Sequence, residues 1–187
     1  MDYSSLYSSA RNRFSNAVDN INSCENSISA LETRRQQVIV AINQLEVERD
    51  NNNAARDVLS QLINCEETIR SDVQSIATCT DTASVEYCGM VTSSNVSNKN
   101  LSNVYEKELR TTRNQTESVF SELRAKRGVI DSNIENINTR LGQARAELND
   151  IDASIRTRRS EITDWMRIRN NASMDMTYYK NKMNAEG

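Results

Sequence analysis

The chain has 187 residues, with 23 Lys and Arg against 26 Asp and Glu, four glycines, no proline and no histidine. A net charge of -3 gives no single-sign field to attract phosphate or anionic lipid, which argues against nucleic acid and membrane surfaces as partners. Hydrophobic residues at 37% and aromatics at 5% are too few for a thick globular core but enough for seams between helices.

The first element begins at once. Tyr3, Tyr7, Ala10, Phe14, Ala17, Ile21, Cys24, Ile28, Leu31, Arg35, Val38, Ile42 and Leu45 follow one another in steps of four and three. This narrow apolar seam on a polar helix is the mark of a coiled coil. The register breaks at Glu48-Arg49-Asp50-Asn51-Asn52-Asn53 and resumes at Ala55, Leu59, Leu62, Ile69, Val73 and Ile76. Residues 48–53 contain neither Gly nor Pro, which favours a stammer in one helix. The alternative is a hinge that folds the arm back into a four-helix bundle.

From about Thr80 to Ser102 the chain is rich in Ser, Thr and Asn, with Gly89 in the middle, and these turn-forming side chains compete with helical hydrogen bonds. The pattern predicts a first arm over 1–79, a central loop over 80–102 and a second arm over 103–187. Asn103, with Glu106 three residues on, has the spacing of a capping box. A second seam then runs Phe120, Leu123, Arg127, Ile130, Ile134, Ile137, Leu141, Ala144, Leu148, Ile151, Ile155, Arg158, Ile162, Trp165, Arg169, Ala172, Met176, Tyr179, Met183. Asp152/Arg156 and Glu122/Lys126 offer i,i+4 ion pairs on its polar face.

Two arms flanking one loop predict an all-α, long antiparallel helical hairpin. At 1.5 Å per residue each arm spans on the order of 115–120 Å. Such pairing gathers Tyr3, Tyr7 and Phe14 with Trp165, Met174, Met176, Tyr178, Tyr179 and Met183 into an aromatic and methionine clasp where the termini meet.

Few residues suggest chemistry. Without histidine there is no Cys-His nucleophile and no Glu-x-x-His di-iron motif, and the carboxylates are scattered along solvated faces. The reading is of a non-enzyme with no cofactor. Cys24, Cys65, Cys79 and Cys88 are spaced 41, 14 and 9 apart, which matches no zinc pattern. Cys24 fits the seam as a small core residue, while Cys79 and Cys88 flank the start of the expected loop and are candidates for a disulfide across it in an oxidising compartment. Arg35, Arg127, Arg158 and Arg169 occupy seam positions, where their stems cover apolar surface or their guanidinium groups specify register.

Ile39, Val40, Val47, Val58, Ile63, Val129 and Ile168 lie off the seams and form a partial second stripe, the expected docking surface for a protein partner's amphipathic helices. A second copy of the chain satisfies them equally well, so homo- and hetero-oligomers both stay open. No segment approaches the roughly 20 apolar residues of a membrane span, and Met1-Asp2-Tyr3-Ser4-Ser5-Leu6 lacks the blocks of a signal peptide. The expectation is a cytoplasmic chain or one exported without a cleavable signal.

Tyr87-Cys88-Gly89 sets an aromatic residue two before a glycine between two long amphipathic helices. This resembles the Trp-x-Gly turn of the helical-hairpin proteins associated with type VII secretion in Gram-positive bacteria, with Tyr87 and Gly89 as the turn motif. The resemblance implies a chaperone-like partner or adaptor that packs on the helical targeting domain of a secreted toxin. Tyrosine stands in place of the turn tryptophan, and no tyrosine has the acidic residue four positions on that the export signal requires. The rival expectation is a self-assembling structural coiled coil, such as a granule lattice or filament.

Overall fold

The computed structural model describes residues 2–90 and 99–186, with the side chains of 2–83, 104 and 106–185. Three helices account for the described chain: α1 (Tyr3–Asn64), α2 (Glu66–Met90) and α3 (Lys99–Glu186). The fold class is an all-α helical hairpin, in which α3 runs antiparallel to α1 and α2. It comprises two compact units, one of Met1–Glu46 with Thr139–Gly187 and one of Val47–Asn138.

Asp2 starts α1 as its N-cap, its Oδ1 accepting the backbone N–H of Ser4 at 3.1 Å and of Ser5 at 3.2 Å. The helix passes through 48–53 without interruption, and Asn52 Nδ2 donates to the Glu48 carbonyl at 2.8 Å. Its end comes instead at Cys65, whose N–H bonds the Leu62 carbonyl at 3.2 Å, a turn one residue tighter than α-helix. Helical bonding resumes immediately, with Ile69 N–H on the Cys65 carbonyl at 3.0 Å.

The helices claim most of the expected central loop. α2 continues past Thr80 to Met90 and α3 begins at Lys99, so 80–90 and 99–102 are helical and Asn103 lies inside α3. Threonine hydroxyls here back-bond within the helix and leave the main-chain ladder intact. Thr78, Thr80 and Thr82 donate to the carbonyls of Gln74, Ile76 and Thr78 at 3.1, 2.8 and 3.0 Å. Tyr87 and Gly89 therefore stand in the last turn of α2, and their side-chain surroundings lie outside the described residues.

In the first unit α1 and α3 meet seam to seam. Ala10, Ala17, Ile21, Cys24, Val38, Ile42 and Leu45 are buried on α1, and Leu141, Ile151, Ile155 and Ala172 on α3. Cross-helix ion pairs mark the antiparallel register: Arg13 with Asp175 at 2.8 Å, Glu32 with Arg159 at 3.2 Å, Arg35 with Asp152 and Glu46 with Arg145 at 2.7 Å each. Asp152 thus serves the opposite helix, not Arg156 one turn away. All are solvent-exposed, so each contributes about 1 kcal/mol or less. Burial holds the pair and the charges choose its register. At the terminal end of this unit Tyr3 and Tyr179 approach to 6.4 Å between centroids across the two helices, and Tyr178 meets Tyr179 edge-on at 5.4 Å. Of the expected clasp, Met174, Tyr178 and Met183 are instead exposed. Trp165 is half-buried.

The seam predicts that Leu141→Ala, which empties a site only 2% exposed, destabilises the fold by about 2–5 kcal/mol. Val129→Ala, at a residue 61% exposed, should change stability by less than about 0.5 kcal/mol. Chemical denaturation followed by circular dichroism separates the two. Gly128 and Gly142 lie inside α3 with ordinary helical φ, and nothing is within 4 Å of where a Cβ would stand. Alanine at either should stabilise by about 0.5–1 kcal/mol, since it relieves the helical cost of glycine without a clash; a lowered denaturation midpoint would contradict this.

Candidate functional site

The second unit pairs the end of α1 and α2 with the first part of α3, and its burial is much thinner. Phe120 and Ile137 are the buried hydrophobic side chains among its described residues. The half-buried positions show which face of each helix meets the other. They include Arg56, Leu59, Ile63, Glu66, Val73, Ala77 and Thr80 on one side, and Leu109, Thr116, Leu123, Ile130 and Ile134 on α3. Polar pairs complete this interface: Glu66 is clamped by Arg124 and, at 3.0 Å, by Arg70, while Arg113 donates to Gln74 at 2.7 Å.

One residue N-terminal to this face runs a second heptad stripe, Ala55, Val58, Leu62, Cys65, Ile69, Asp72, Ile76, Cys79, Ala83, and every member is exposed. The seam expected here from the sequence mixed the two stripes. Leu59 and Val73 do face α3, whereas Ala55, Leu62, Ile69 and Ile76 belong to the open stripe. Both stripes keep steps of three and four, so periodicity alone cannot rank them. With Arg56, Glu66 and Thr80 among its members, the facing stripe is the less apolar of the two. The Glu66 carboxylate is accommodated there because α3 supplies Arg124.

The two sides of this helix pair differ in chemistry. In an antiparallel pair, residues one before the facing positions of both helices lie on the same side, and residues one after them on the other. The latter side is a groove of 530 Å³ whose lining includes Glu67, Ser71, Gln74, Thr78, Arg113 and Glu117, a polar set. The former carries Val58, Leu62, Ile69 and Ile76 from α1 and α2, 56, 47, 40 and 59% exposed. Val119 and Val129 of α3 join them, at 53 and 61%.

The seven docking candidates read from the sequence do not form one surface. Val58 and Val129 belong to the apolar side just described. Ile63 faces α3 and is half-buried, so it serves the hairpin's own packing. Val47, also in this unit, is exposed. Ile39, Val40 and Ile168 lie in the first unit, with Ile39 half-buried and the other two exposed. Leu62, Ile69 and Ile76, which the sequence pattern places in the internal seam, add to the exposed apolar side.

The cysteines separate into two kinds. Cys65 and Cys79 are exposed free thiols on the open stripe. Cys79 and Cys88 lie on one helix, where nine residues hold their Cα atoms about 13.5 Å apart, beyond the roughly 7 Å a disulfide spans. The continuation of α2 thus removes the expected bridge; the side chain of Cys88 lies outside the described residues. Among the described residues no three Cys, Asp or Glu side chains gather as a metal site.

Cys24 is buried in the first unit, and its thiol donates to Glu161 Oε2 at 3.5 Å. Arg158 Nη1 donates to the same oxygen at 2.7 Å. Burial, and then the Glu161 carboxylate, pushes the thiol above its usual value of 9.0. The Arg158 hydrogen bond, aided by that from Cys24, holds Glu161 below the ordinary 4.5. This arrangement keeps the thiol protonated and unreactive.

These shifts set a pH window with opposite signs at its edges. Glu161, depressed in the fold, contributes stability that is present above its unfolded value and lost as pH falls through the lower folded one. Cys24, raised in the fold, contributes stability present below its unfolded value and lost as pH rises through the higher folded one. Glu161→Gln should therefore flatten the acid limb of a stability-against-pH curve measured by denaturant titration. In the native protein at pH 8, iodoacetamide followed by peptide mass mapping should mark Cys65 and Cys79 well before Cys24; equal rates would mean the Cys24 site opens freely.

No protein-family model matches this chain, and neither a curated protein nor a solved structure does.

Proposed function

We propose that this chain is a non-enzymatic helical interaction protein, a chaperone-like adaptor that binds amphipathic helical segments of a secreted toxin or secretion substrate. The observation that carries the reading is the open heptad stripe of the second unit, from Val58 to Cys79, beside Val119 and Val129. A helix with two adjacent apolar stripes, one of them uncovered, suits a bundle with one more helix than the hairpin provides. The non-enzymatic part of the reading rests on the missing histidine and the dispersed carboxylates. The link to secretion rests on the Tyr87-Cys88-Gly89 resemblance, and with it the chain is cytoplasmic or exported without a cleavable signal.

The second reading, a self-assembling structural coiled coil, draws on the same stripe, because its free flank of Gln61, Thr68, Ser75 and Thr82 carries no charge to repel another copy. Sedimentation of the purified chain distinguishes them: a discrete species favours the adaptor and open-ended growth favours the structural protein.

Ile69→Asp with Ile76→Asp should leave helicity by circular dichroism nearly unchanged. The same pair should abolish co-purification with the product of an adjacent toxin or secretion gene. The new carboxylates cost the free protein little at exposed sites but must be desolvated when a helix docks. Loss of helicity along with binding would place these residues in an internal core.

A further inference from the structure

Asp72 is the one charged residue in the open stripe that begins at Ala55 and ends at Ala83. Ile69 and Ile76 stand on either side of it along the stripe. The cations nearest in sequence and register are engaged elsewhere, Arg70 with Glu66 at 3.0 Å and Arg113 with Gln74 at 2.7 Å. A helix laid on Ile69 and Ile76 therefore covers a carboxylate that this chain leaves without an ion pair. The flank of the stripe away from α3, Gln61, Thr68, Ser75 and Thr82, is uncharged and gives no flanking code for partner choice. The α3 edge of this side bears an acid and a base, Glu122 and Lys126, each one residue before a seam position of α3, so Asp72 is the charge set within the apolar stripe itself.

We propose that the apolar side of the second unit receives a single amphipathic helix of another protein, one that carries a Lys or Arg within its own apolar seam, paired with Asp72. The inference rests on the adaptor reading above and names the chemistry of its partner. A basic residue at that layer converts the covered carboxylate from a penalty into a register mark, while an apolar or acidic residue leaves it unmatched. A second copy of this chain is the wrong occupant. Its stripe consists of Ala55, Val58, Leu62, Cys65, Ile69, Asp72, Ile76, Cys79 and Ala83 and contains no cation. Parallel pairing would set Asp72 against Asp72, and antiparallel pairing would set it against apolar side chains.

The test uses the full chain and two fluorescently labelled peptides of about four heptads with Leu and Ile in the seam, differing only in a central seam residue, Lys or Glu. Fluorescence anisotropy should show the Lys peptide binding at least about tenfold more tightly than the Glu peptide. Asp72→Lys should reverse that order, and Ile69→Asp with Ile76→Asp should abolish binding of both. If the two peptides bind equally to the wild-type chain and Asp72→Lys changes nothing, the charge inference is overturned while the docking face stands. If neither peptide binds, or both bind regardless of Ile69 and Ile76, the docking face itself fails and the inference with it. A dimer in sedimentation that Ile76→Asp dissociates would make the second copy the occupant and overturn the proposal.

Discussion

Everything in this fold depends on the seven-residue repeat of α3, which runs from Phe120 to Tyr179 in one unbroken helix, with Gly128 and Gly142 off the seam. A helix with such a seam is satisfied only by partners that repeat at the same interval, so α3 selects the spacing of what packs on it. In the first unit α1 answers with apolar residues, including Ala10, Ala17 and Cys24, small enough for close approach. In the second unit the answer is a mixed ladder in which Glu66, Arg56 and Thr80 stand among Leu59, Ile63 and Val73. The repeat is kept in both, but the apolar content is not.

That difference explains what could be read from residues alone. The α1 seam was legible because a single apolar stripe sits on an otherwise polar helix, and nearly every position on it became buried or half-buried. The stripe after residue 54 was not legible in the same way. Two apolar heptad series run one residue apart there, and the hydrophobic effect, which has no direction, does not distinguish them. Directional groups do. Glu66 and Gln74 find Arg124 and Arg113 on α3, and these pairs fix the rotation of α2. Such pairing depends on which arginine comes level with which carboxylate or amide, and a one-dimensional pattern does not contain that. The extent of α2 was hidden for a related reason: Ser and Thr promote turns when their hydroxyls compete with the main chain, yet the same hydroxyls bond back to the preceding turn when a helix is otherwise favourable.

Charges placed in a seam divide by whether the chain itself answers them. Arg35 reaches Asp152, Arg158 reaches Glu161, and Glu66 holds two arginines. Each arrangement lets a long side chain cover apolar surface with its stem and discharge its head at the edge of the interface. Cys24 joins the second of these as a donor and gains an environment opposed to thiolate formation. The cross-helix pairs, Arg35 with Asp152 and Glu66 with Arg124, narrow the set of registers that α3 can share with α1 and α2, at little cost in burial.

The unequal backing of α3 has a consequence for its own main chain. Its hydrogen bonds form one continuous ladder, but residues 139–172 are covered by a filled seam and residues 104–136 by a sparse one. Opening of a helix segment requires the side chains over it to be uncovered first, so the free energy of local opening rises along α3 toward its C-terminal half before falling at the frayed end. Amide protons on a single helix should therefore exchange on two separate timescales. The faster-exchanging half is the one that lies beside the uncovered stripe.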